Sequence, residues 1–303
     1  MSPSSHASQT PLVPPSAPAA TSDREALEKH QRRLKRPFWR QPLTLLGISI
    51  LAFWAVVAIA APVLAPYGPL EQIFPRYQPP SSESWFGTDQ LGRDVLSRII
   101  WGTRLSIPYA MALVMFSVTI GAVLGGIAGY AGGWVDEVIM RFTDMVMSFP
   151  TIILALAVAA ALGPGLTNAV IAIAFVHWPV FARVVRSYVL SLRQQDYVSA
   201  ARLLGSSTSR TLFRDIVPNV AGPVAVLVML ETGTAILLLS GLSFLGLGAQ
   251  PPAAEWGQMV AEGARVLDRW WIGTFSGLAI LTVVLALNLV GDTLRDFVDP
   301  RVG

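Results

Sequence analysis

Glu231 is the one ionisable residue in the apolar stretch LVMLETGTAIL. A carboxylate there is costly unless it meets water or a partner, so residues of this kind mark function. Asp144, beside another apolar run, is either a second such group or an interfacial charge. His177, in AFVHWPVF, reads as a packed, hydrogen-bonded neutral imidazole. It lies far from His6 and His30, and the three match no metal spacing. The absence of cysteine excludes disulfides, thiolate nucleophiles and Cys-ligated metals. The only lysines, Lys29 and Lys35, follow no glycine, so a phosphate loop of the Walker type is absent. The glycines of FLGLGAQ close an apolar run and make a very weak dinucleotide fingerprint. No cofactor is expected, and any nucleotide that powers this chain binds to another.

The stretch DYVSAARLLGSSTSRTLFRDIVPN, Asp196 to Asn219, has the outline of a helix-turn-helix. DNA-reading versions belong to small soluble domains. This one is tied at both ends to apolar runs, and Asp215 would face phosphates, so nucleic acid is not an expected partner. Gly205 suits the left-handed end of a first helix, Ser206 to Ser209 offer caps for a second, and Pro218 is expected to end it. Such a unit can dock into a partner's groove, with Leu204, Leu212 and Phe213 as anchors and Arg202, Arg210 and Arg214 as rim charges. An ordinary connecting loop fits the residues equally well.

The elements that position these residues follow from composition. With 53% hydrophobic and 14% charged residues in 303, the chain cannot clothe itself in polar surface. The pattern predicts an all-α polytopic membrane protein with six spans, near 43–65, 107–130, 145–162, 168–185, 221–247 and 271–290. Gly121, Gly125, Gly126 and Gly129 in the second span permit close helix approach. Pro150 and Pro179 are expected to kink the third and fourth. Residues 1–41 read as a disordered, then basic, tail attracted to anionic membrane lipid; 42–303 form the membrane domain. The more polar segment 66–106 is expected outside the membrane, where GTDQLGRDVLSR either closes a cavity or meets an outer partner, or forms a structural amphipathic helix with Val95, Leu96 and Ile99 buried. Sixteen of the 22 Lys and Arg fall in the tail, at Arg141, in the 186–220 loop region from Arg183 onward, and near the C-terminus. That bias places both termini and the loop in the cytoplasm.

The spacing Ser199-Ala200-Ala201-x-x-x-Gly205, followed at Asp215 by Asp-Ile-Val-Pro218, resembles the EAA loop of ABC importer permeases. With FGTDQLGRDVLSRIIWGTRLS, GGWVDEVIMRFTD, SFPTIILA, LGPGLTN, WPVFARVVRS, LSFLGLGAQPP and GDTLRDFVDPR in order, the chain resembles the C-type permease subunit of the dipeptide, oligopeptide and nickel importer family over residues 86–301. Ser199 stands where that loop usually has glutamate, and Leu239 where the family often has one.

The resemblance implies a bacterial inner-membrane subunit without enzymatic activity, paired with a homologous B-type permease, two cytoplasmic ATP-binding subunits and an extracytoplasmic substrate-binding protein. It also implies ATPase coupling through Ser199, Ala200, Ala201, Arg202, Leu204, Gly205, Leu212, Phe213, Arg214 and Pro218. Pro150, Pro179 and Glu231 are candidates for the translocation path, packing kinks being the other reading of the prolines. Cargo is expected to be a dipeptide or oligopeptide, with nickel as the alternative. An ATP-independent secondary transporter is a further alternative, disfavoured by the few intramembrane charges.

Overall fold

A computed structural model describes residues 41–207 and 210–298, without the side chains of Ser199, Ala201 and Arg202. Expectations for the tail, for Arg301 and for Thr208 and Ser209 lie outside the described residues. Nine α-helices are described: α1 Pro42–Leu64, α2 Val95–Ala131, α3 Gly133–Met147, α4 Thr151–Leu162, α5 Leu166–Arg193, α6 Asp196–Leu203, α7 Val217–Phe244, α8 Trp256–Ala264 and α9 Trp270–Val298. The described residues form no strand, only one bridge between Thr88 and Asp94. Five helices are long and apolar enough to cross a membrane, or six spans if the bent pair α3 and α4 counts as one.

Glycines set the central contact. A Cβ on Gly121 or Gly129 of α2 would lie 2.6 or 2.9 Å from the carbonyl oxygens of Trp178 or Arg186 on α5, and one on Gly125 would lie closer still to that of Ala182. These glycines, four residues apart on one face, therefore seat the α2 backbone directly on α5. Gly126 points elsewhere, into open space. On the far side α1 leans on α9, where a Cβ at Gly47 would meet Val290 at 2.8 Å and Trp54 Nε1 donates to Thr282 Oγ1 at 3.1 Å.

The segment between α1 and α2 is folded upon itself. Asp94 caps α2 by accepting from Ser97 N and Ser97 Oγ, each at 2.7 Å, so the second span begins at Val95, twelve residues before the expected Ile107. Val95 and Ile99 are buried as expected, while Leu96 is half-buried. A buried charge cluster ties this segment to α8. Asp89 Oδ2 accepts from Arg93 Nε at 2.6 Å and Arg98 Nη1 at 2.5 Å. Glu262 Oε2 sits 3.7 and 3.6 Å from Arg93 Nη2 and Arg98 Nη1. Arg98 Nη2 also donates to the Ala253 carbonyl at 3.2 Å. Glu255, buried and held above the usual carboxylate range by desolvation, caps α8 through Gly257 N and Gln258 N at 3.0 and 2.8 Å.

Two expectations are corrected. The third span is not one helix from 145 to 162: α3 and α4 meet at an 89° bend across Ser148, Phe149 and Pro150. Pro150 disfavours helix at the residue before it and sits at the N-cap of α4 rather than inside a kinked helix. Pro179, by contrast, lies within an unbroken α5. Nor does Pro218 end a short helix. Thr211–Ile216 form a π-helical turn in which Val217 N reaches the Leu212 carbonyl, and the chain continues into α7. Pro218 occupies the first turn of α7, where its missing N–H is no loss.

Desolvation pushes the Glu262 carboxyl up from 4.5 to about 6, against the opposing field of Arg93. A carboxyl raised in the folded state penalises that state when ionised. The penalty is full above pH 6 and relieved as pH falls toward 4.5, a span of roughly 2 kcal/mol. Thermal melts of the detergent-solubilised protein should therefore show Glu262→Gln losing part of the wild type's gain in stability between pH 7 and pH 5. Parallel pH profiles for the two proteins would contradict this origin.

Candidate functional site

The loop between α5 and α7 grows from the α5 end. Arg193 Nη1 donates to the Tyr130 carbonyl at 2.7 Å, pinning the last turn of α5 to the end of α2. α6 follows, and Gly205, at φ +83°, turns the chain in the left-handed region as expected. Ser207 Oγ accepts from Arg210 N at 3.4 Å, and Thr211 Oγ1 donates to Ser206 Oγ at 3.3 Å, closing the return. Val198, Thr211 and Ile216 are buried, and Ile216 packs with Val185, Val189 and Val220 of α5 and α7. The loop is thus a small packed unit rooted in two spans.

Its outward face is apolar. Leu203 is 90% exposed, Leu204 89% and Phe213 70%. Leu204 and Phe213 project as the sequence suggested. Leu212 is half-buried against the Val185–Ile216 cluster instead, because the π turn directs it inward. Leu203 was missed; its place on the last helical turn before Gly205, next to Leu204, was the available signal. Arg210 and Arg214 lie on the exposed side, while Ser199, Ala201 and Arg202 fall among the undescribed side chains.

Beside the loop, α3 is strongly amphipathic. Arg183 Nη2 donates to Asp144 Oδ1 at 2.6 Å, and Arg186 Nη2 to Asp136 Oδ2 at 2.5 Å, so charges eight residues apart on α3 meet a single turn of α5. α3 runs alongside α5 in the opposite direction, with Phe142 stacked on Trp178 at 5.9 Å and Val146 packed with Val176 and Trp178. Asp144 is an exposed charge, and Trp134, Val138 and Met145 are exposed as well. α4, only about 18 Å long at 1.5 Å per residue, follows the bend and buries Ala155 and Ala159 in the main core with Ala169, Val170 and Ile173 of α5.

At mid-span, His177 Nε2 lies 2.9 Å from Glu231 Oε2. The imidazole is packed and hydrogen-bonded, as its sequence context suggested, and its ring meets Phe181 edge-on. The partner, 54 residues away, was not legible. Pro150 and Pro179 do not join this pair in one site: Pro179 neighbours His177 on α5, whereas Pro150 lies at the α3–α4 bend.

An apolar bundle of spans carries a packed loop with two of the spans as its roots. Residues 121–303 match the family model described as the binding-protein-dependent transport system inner membrane component. The chain belongs to this family. Residues 32–80 match the N-terminal transmembrane domain of oligopeptide transport permease C. The chain is 40% identical over 299 residues to a dipeptide transport system permease protein of Alkalihalophilus pseudofirmus, covering 98% of each chain. It is 42% identical over 264 residues to a probable D,D-dipeptide transport system permease protein of Escherichia coli K12, covering 86% of this chain and 89% of that one. A nickel transport system permease protein of the same organism is 42% identical over 263 residues, covering 85% and 94%. Among solved structures, a chain of the MetNI methionine ABC transporter in an inward-facing conformation shares the fold, with TM-score 0.51 and 16% identity over 64% of this chain and 94% of that one. The chain is thus a multi-pass inner-membrane permease subunit of an ABC importer, and ATP hydrolysis resides in a separate subunit.

Burial of Ile216 anchors the loop, and truncating such a side chain costs about 2–5 kcal/mol. Ile216→Ala should accelerate tryptic cleavage after Arg210 and Arg214, whereas Leu204→Ala, at an exposed position, should not. Equal cleavage rates in both variants would show that the loop is not held by this contact.

Proposed function

We propose that the chain is the C-type permease of an ATP-driven importer of dipeptides or short oligopeptides, with the loop between α5 and α7 in the cytoplasm as the surface gripped by an ATP-binding subunit. A homologous B-type permease completes the translocation path, two ATP-binding subunits drive it, and an extracytoplasmic binding protein delivers cargo. The observation that carries this reading is the packed loop with Leu203, Leu204 and Phe213 exposed at its tip. Three large apolar side chains in water gain roughly 1.5–3 kcal/mol each when a groove covers them. Support for the cytoplasmic side comes from the Lys and Arg bias.

The mechanism follows from how the loop is rooted. ATP closes the two ATP-binding subunits, and the grooves holding the permease loops move with them. Ile216 and the Arg193–Tyr130 bond make the loop an extension of α5 and α7, so its displacement tilts those spans. Tilting opens the bundle toward one side of the membrane or the other. Ser199, Ala200, Ala201, Arg202, Gly205, Arg214 and Pro218 belong to the coupling element in this reading. Pro150, Pro179 and Glu231 belong to the path.

Nickel is the second reading, favoured by a nickel permease relative as similar as the D,D-dipeptide one. Uptake assays with a labelled dipeptide and with nickel, in cells producing the chain together with its partner subunits, separate the two. Proline cannot adopt the φ of +83° at Gly205. Gly205→Pro is expected to abolish uptake with membrane insertion intact, and Leu203→Ser with Leu204→Ser to release the ATP-binding subunit during purification. Wild-type uptake by the proline variant would overturn the coupling role.

A further inference from the structure

Glu231 is the only charged residue of α7, and it does not stand alone at its level. Successive residues turn by about 100° on a helix, so Thr234 lies about 60° from Glu231 and about 100° from Gly233, between the two. Glu231 meets His177 of α5 on one side. On the other, a Cβ at Gly233 would lie 3.7 Å from Asn288 Oδ1 of α9. His177, Glu231, Thr234 and Asn288 therefore form a belt across three spans at one depth.

The belt is open outward. Thr234 and Asn288 are exposed, and Glu231 keeps 18% of its side chain accessible with Oε1 free of the His177 contact. Among the described residues no hydrogen bond satisfies Thr234 Oγ1 or the Asn288 amide. Hydrocarbon would leave these groups without partners, and a dry helix contact would leave the carboxylate uncompensated. Water satisfies all of them.

On the import reading above, we propose that this belt is a hydrated, anionic step in the wall of the translocation path that pairs with the ammonium and amide groups of a passing peptide. The carboxylate accepts from an ammonium, and His177 fixes its orientation from behind. Asn288 offers both donors and an acceptor to peptide amides, and Thr234 offers a hydroxyl.

This chain lacks cysteine, so an introduced cysteine is its only thiol, and the assembled complex without it sets the labelling background in membranes. Thr234→Cys, close to isosteric, is treated with water-borne methanethiosulfonates carrying an ammonium or a sulfonate; Asn288→Cys repeats the measurement. Ile59→Cys on the exposed face of α1 serves as the lipid-facing comparison. Position 234 should react with both reagents, and Ile59→Cys only with a lipid-soluble maleimide. The ammonium-to-sulfonate rate ratio at 234 should exceed that of free cysteine by about tenfold and fall back in Glu231→Gln. Labelling of 234 from lipid alone overturns the proposal. So does full protection with cross-linking to the second permease, or a ratio indifferent to Glu231→Gln. Wild-type dipeptide uptake in the same membranes is scored separately: its absence defeats the cargo reading and leaves the reagent ratio interpretable.

Discussion

The backbone contact between α2 and α5 is the constraint on which the rest depends. With Gly121, Gly125 and Gly129 against the carbonyls of Trp178, Ala182 and Arg186, the two helices meet without intervening side chains. Lipid supplies no hydrophobic drive for helices to associate, so close van der Waals packing must. α5 then becomes the common support. It carries His177 at its middle, the arginines that hold α3, and the loop at its end.

The two ends of the bundle are built by different physics. At one end, Asp89, Arg93, Arg98 and Glu262 are buried together. Such a cluster is expensive to assemble and costs about 3–5 kcal/mol to break one partner at a time, so it fixes the folded segment against α8 in one arrangement. At the other end the loop has a small core of Val198, Thr211 and Ile216 and turns leucines toward water. A rigid end and a presenting end, joined by a helix pair that cannot slide without backbone clashes, suit a subunit that transmits displacement.

Legibility followed the range of the interactions. The glycine spacing at 121, 125 and 129 and the left-handed turn at Gly205 are local signals, and each appears where expected, as do the long apolar runs apart from the early start of the second and the break in the third. The α3–α4 break was hidden because apolarity runs on through Ser148 and Pro150, while the charged face of α3 is recognisable only when Arg183 and Arg186 are known to lie beneath it. Pro218 misled because proline ends helices from within but begins them at the first turn. Arg93 and Arg98 carry no local signal of burial, yet they are buried beside acids, Glu262 being more than 160 residues away in sequence. The His177–Glu231 pair is likewise a contact between separate spans.

The central claim is that the loop moves as a rigid part of α5. Spin labels on cysteines at Ser206 in the loop and Tyr188 on α5, in the complex assembled with its ATP-binding subunits, test it most directly by their separation without nucleotide and with ATP bound. The account predicts the same separation in both states. A shift between Ser206 and Tyr188 of one helical turn, about 5.4 Å, or more would contradict it, since the loop would then be a tether.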